Sequence, residues 1–98
     1  MSVPKSVTIL GHKTLVKQVR TLPGGVDVET VGLADLTDDV IYLHRDLSDT
    51  AKQKILLHEI FHHAMWRNGV DQTLNASQLE CLCQLFTYLH IEIKRQRL

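Results

Sequence analysis

The stretch Leu56-Leu57-His58-Glu59-Ile60-Phe61-His62-His63-Ala64 decides how this chain is read. Ile55, Leu56, Ile60 and Ala64 recur at helical spacing, so the segment is expected to be a helix with one apolar face. Residues four apart on a helix lie on the same face, one turn above the other. His58 and His62 therefore point the same way, close enough for two imidazoles to hold one metal ion. Glu59 sits one step round the helix, where its carboxylate can reach a water on that ion. The competing reading is a plain helix with one buried and one solvated histidine and Glu59 as a surface charge. All three residues at this spacing inside an apolar helix favour the metal site over that reading.

Outward from this helix the boundaries are legible. Ser48 is a candidate N-cap, and Asp49 places negative charge at the positive end of the helix dipole. Asn68-Gly69 is a helix-ending pair. Upstream, Val40-Ile41-Tyr42-Leu43 is β-branched and aromatic and is expected to be a strand. Gly32 to Asp39 is turn-rich. Val26-Asp27-Val28-Glu29-Thr30-Val31 alternates and reads as a strand or an extended arm, after a break at Pro23-Gly24-Gly25. Ser6 to Leu10 and Thr14 to Arg20 read as a hairpin turning at Gly11-His12. Downstream, Val70 to Ala76 is a connector. A second helix is expected from about Ser77 towards Arg95, with Leu79, Leu82, Phe86, Leu89 and Ile93 as one apolar stripe. The expected fold is α+β: a small, mostly antiparallel sheet of three or four strands packed against two helices, in a single domain spanning residues 1–98.

Composition narrows the function classes. A chain of 98 residues buries only roughly 60–65% of its unfolded surface, so a bound metal would help to hold it together. Lys plus Arg balance Asp plus Glu at 11 each, so no global charge draws the chain to nucleic acid or an anionic membrane. Lys94, Arg95 and Arg97 read as a solvated basic helix end, favourable to the dipole, rather than as a nucleic-acid contact. No apolar run has the length of a signal peptide or a membrane span, which leads to the expectation of a cytoplasmic protein. Cys81 and Cys83 lie two apart on a helix and point in different directions, so they are not expected to pair; this fits a reducing compartment.

Catalytic zinc usually takes three protein ligands and leaves a position for water. The second helix is the natural source of the third, and Glu80 flanks its apolar stripe. Ser77-Gln78-Leu79-Glu80 is also a capping box, in which Glu80 would bond back to the Ser77 backbone. Spacing alone leaves ligand and cap open. His63 faces about 100° away from His62 and is expected to be a neighbour rather than a ligand. His90 lies about 15 Å along the helix from Glu80, so both cannot bind one ion; it is a fallback ligand or a donor to substrate. Cys83 is one turn from Glu80 and could bind as thiolate, but a cysteine on an apolar stripe is more often core. His12 and His44 carry no pattern and are expected in solvent.

These residues resemble the small zincin metallopeptidases of bacteria and their phages, the group near the ImmA/IrrE-type peptidases. The resemblance runs from Gly32 to Leu89 and rests on Gly32-Leu33-Ala34-Asp35, then Val40-Ile41-Tyr42-Leu43, then Leu56 to Ala64, then Glu80 within Leu79-Glu80-Cys81-Leu82-Cys83-Gln84-Leu85-Phe86. It implies His58, His62 and Glu80 as ligands of one Zn2+ per chain, Glu59 as catalytic base, and a protein or peptide as substrate. The chain departs from the pattern at Phe61, where a small residue usually precedes the second ligand, and no residue is placed as an oxyanion donor. An extended substrate is expected to add to an edge strand, either Val40 to Leu43 or the strand near Val28. The alternative is a catalytically weak or inactive zinc-binding interaction module of a phage or mobile element, with a closed site completed by His63 or Cys83.

Overall fold

The computed structural model describes residues 3–22 and 32–97. Along the chain come β1 (Ser6–Ile9), β2 (His12–Val19), β3 (Gly32–Asp35), β4 (Val40–His44), α1 (Asp49–Arg67), a short 3-10 turn (Val70–Gln72) and α2 (Ala76–Arg95). The fold is α+β, as the residue patterns indicate. The four strands form one sheet in the order β1-β2-β4-β3, antiparallel except for the central β2–β4 pair, which is parallel.

Local chemistry sets the strand ends. Leu10 and Gly11 both have positive φ, 49° and 84°, as a two-residue type I′ hairpin turn requires. The turn therefore sits one residue earlier than expected, and His12 already belongs to β2, opposite Ile9. In β2 the buried residues are Thr14 and Val16, while Leu15 faces outward at 43% exposure.

Gly32 to Asp35, expected as turn, is a strand. It pairs with β4 from Gly32↔Leu43 to Asp35↔Val40, and only residues 36–39 turn. Asp35 Oδ1 accepts from the Asp38 N–H at 3.1 Å, and Asp39 adopts φ 56°. Two neighbours on the sheet leave β4 no free edge, so Val40 to Leu43 cannot receive a substrate strand as expected. Among the described residues the edges are β1 and β3. The segment 26–31, expected as a strand or arm, lies outside the described residues.

The core is built from Val3, Ile9, Val16, Ile41, Leu43 and Leu56, with Ile55, Ile60 and Ala64 of α1 packed against it. Ser48 caps α1, its Oγ accepting from the Ala51 N–H at 3.2 Å. Gly69, at φ 82°, turns the chain away after the Asn68 C-cap. Arg67 forms an ion pair with Asp39, which ties the end of α1 to the β3–β4 turn.

α1 lies on the sheet, and α2 packs principally on α1. Cys83 and Thr87 are the buried residues of α2, with Leu79, Leu82 and Phe86 half-buried beside them. The expected continuous stripe breaks at its C-terminal end, where Leu89 and Ile93 are exposed. Leu89 lies two residues beyond Thr87, about 200° round the helix, and so turns away from α1. Among the described residues no helix is long and apolar enough to cross a membrane.

Candidate metal centre

Helical register brings His58 and His62 together, with ring centroids 4.9 Å apart and planes at 67°. Both point to α2. His58 Nε2 lies 3.1 Å from Glu80 Oε2, and His62 Nε2 lies 2.7 Å from Glu80 Oε1, so one carboxylate accepts from both rings.

Of the two roles left open for Glu80, the start of α2 removes the cap. Its N-cap is Asn75: Asn75 Oδ1 accepts from the Gln78 N–H and Gln78 Oε1 accepts from the Asn75 N–H, each at 2.9 Å. Asn75-Ala76-Ser77-Gln78 is thus the capping box, two residues ahead of the one expected at Ser77. Glu80, released from capping, turns to the histidines. Its side chain is 59% exposed, so it approaches them from the solvent side.

Glu59 is buried. Burial first, and the Glu80 charge second, raise its carboxyl to about 7. A backbone feature makes room for it. A Cβ added to Gly32 would stand 2.5 Å from Ile55 Cγ2 and 3.6 Å from Glu59 Cγ, so only glycine lets β3 come this close to α1. Spacing could not reveal that role, because Gly32 and Glu59 are joined only by the packing of α1 on the sheet.

Cys83, rather than Glu80, completes a second grouping with the two histidines. Its Sγ and one ring nitrogen each from His58 and His62 lie within 4.8 Å of one another, a group that could hold a metal ion. Burial, then the Glu80 and Glu59 carboxylates, push its thiol up to about 12. The sequence signal for this position was its three-residue step from Glu80, which puts both on one helix face. Cys81 is exposed, and both cysteines are free.

The other histidines stand apart. His63 is fully buried, and its Nδ1 donates to the Glu59 backbone carbonyl at 3.3 Å. Burial lowers its pKa and favours the neutral ring, so it sits as a packed neighbour of Glu59. His90 and His12 are exposed. His44, expected in solvent, is half-buried, its Nδ1 accepting from the Asp46 N–H at 3.2 Å. Phe61 packs on Phe86 at 5.3 Å between centroids, so the residue that departs from the zincin pattern helps to join the two helices. A groove of about 750 Å³ lies between the start of α1 and the end of α2, against Lys54, Leu57, Tyr88 and Ile91, and none of the cluster's residues lines it.

No protein-family model, no curated protein and no solved structure matches this chain.

Proposed function

We propose that the chain is a small zincin-type metallopeptidase, with His58, His62 and Glu80 as ligands of one Zn2+ and Glu59 as general base. The observation that carries this reading is Glu80, which meets both imidazoles at 3.1 and 2.7 Å instead of capping its own helix. Two imidazoles and a carboxylate from separate helices are a donor set suited to catalytic zinc. Zinc bound there supplies Lewis acidity, lowering the pKa of water to about 7 and polarising a peptide carbonyl.

The chain's own residues supply the rest. Glu59, one step from His58 and shielded from solvent, takes the proton of the attacking water and returns it to the leaving amine. Burial and the Glu80 charge raise this carboxyl to about 7 in the metal-free chain, and a cation held beside it would favour the ionised form that a base needs. Gly32 keeps the start of β3 beside Glu59, and β3 is an edge strand among the described residues, so an extended peptide could add to it by backbone hydrogen bonds.

The test uses purified full chain, with zinc counted per chain and cleavage of unfolded protein substrates followed. Glu59→Gln keeps its zinc and loses cleavage by a factor of about 10²–10⁴. Equal cleavage by that variant rejects Glu59 as base. The second reading, a zinc-held interaction module without hydrolysis, is favoured by one observation: the buried Cys83 thiol within reach of both histidines. Full zinc content with no cleavage by the unaltered chain supports it.

A further inference from the structure

We infer that Cys83 is a ligand of the same metal centre, so that the site rests closed and opens for hydrolysis only when the Cys83 thiolate leaves. This rests on the reading of His58, His62 and Glu80 as a metal centre.

The geometry points to Cys83 in three ways. Its Sγ and the histidine nitrogens already lie within 4.8 Å of one another. Donors around a tetrahedral zinc, with bonds of about 2.0–2.3 Å, stand roughly 3.5 Å apart, so small side-chain movements complete the set. Secondly, Glu80 and Cys83 differ in exposure. Glu80 comes from the solvent side at 59% exposure, while Cys83 comes from the fully buried α1–α2 interface. Thirdly, the backbone of Cys83 is held: the Thr87 hydroxyl donates to the Cys83 carbonyl at 2.7 Å inside that interface.

Four protein donors make a closed site; a working hydrolytic site keeps one position open. Cys83 and Glu59 are both buried, whereas Glu80 is exposed. A fourth donor from Cys83 would therefore fill the position that a catalytic water needs. When the sulfur–metal bond forms, the thiol proton passes to solvent. When water displaces the sulfur, the thiolate takes a proton back and returns to the helix interface.

The probe is Co2+ alone, added to the metal-free full chain. The unaltered protein and Cys81→Ser are expected to show both the visible bands of tetrahedral cobalt and a near-ultraviolet thiolate-to-cobalt band. Cys83→Ser is expected to keep the visible bands and lose the ultraviolet one. Visible bands without the ultraviolet band in the unaltered chain overturn the role of Cys83 and leave the three-ligand centre standing. A spectrum no different from that of His58→Ala overturns the centre itself. Because the unaltered chain and Cys81→Ser decide ligation, the outcome does not depend on how well Cys83→Ser folds. With zinc, Cys83→Ser is expected to cleave peptides several-fold faster than the unaltered chain; an equal or slower rate overturns the resting closure.

Discussion

The two helices supply one cluster of side chains but are held in different ways. α1 lies on the sheet and buries Lys52, Leu56, Glu59, His63 and Met65. α2 buries only Cys83 and Thr87, rests mainly on α1, and leaves Leu85, Tyr88, Leu89 and Ile93 exposed. The proposed base and two of the proposed ligands thus stand on an element fixed by the core. The third proposed ligand and the buried thiol stand on an element fixed by its neighbour. A metal bridging them would add little to the placement of α1 and much to that of α2.

The contrast can be broken first at its strongest point. Leu56→Ala removes the side chain that roots α1 in the core and should cost about 2–5 kcal/mol in denaturant unfolding. A loss below that range would mean that α1 is not the anchor.

The next effect comes from burying Glu59. Its folded pKa, about 7, lies above the ordinary value of 4.5, so its contribution to metal-free stability is fully present below about pH 4.5 and is lost as pH rises to about 7. The loss is on the order of 3 kcal/mol. His63 works the other way: its lowered pKa gives stability that is present above 6.5 and falls away as pH drops below it. Subtracting the metal-free Glu59→Gln curve cancels the His63 contribution. The difference should decline between pH 4.5 and 7; a flat difference would mean that Glu59 is not desolvated.

Smaller still, Asn75→Ala removes the α2 cap and should cost about 1 kcal/mol, with faster amide exchange confined to the first turns of α2. Leu89→Ala, on the outward face of α2, should change stability by no more than about 0.5 kcal/mol. A larger cost there would show that this face is covered in solution.

Legibility in the sequence follows the same divide. α1 could be read almost whole, because its cap, its periodicity and its ending are all local signals. β4 was legible from its β-branched composition. β3 was not: Gly32-Leu33-Ala34-Asp35 has little intrinsic preference for a strand and becomes one by pairing with β4. The central place of β4 was hidden as well, since the parallel β2–β4 pair joins segments more than twenty residues apart. In α2 the sequence pattern places the capping box at Ser77, whereas the helix begins two residues earlier at Asn75, which takes Glu80 out of the cap. The facing pair of histidines, with Glu59 beside it, was visible from spacing alone. The nearness of Cys83 needed the two helices to be docked.

The absence of a side chain at position 32 reaches beyond the strand it begins. Any replacement there drives its Cβ to 2.5 Å from Ile55 Cγ2, while the Tyr42 carbonyl oxygen at 3.5 Å and Glu59 Cγ at 3.6 Å stand at ordinary contact distance, so the harm would fall on the seating of α1 against β3. A survey of all codons at this position should therefore recover a single letter, and the rejected variants should fail by loosening α1 on the sheet, with every side chain of the cluster still present.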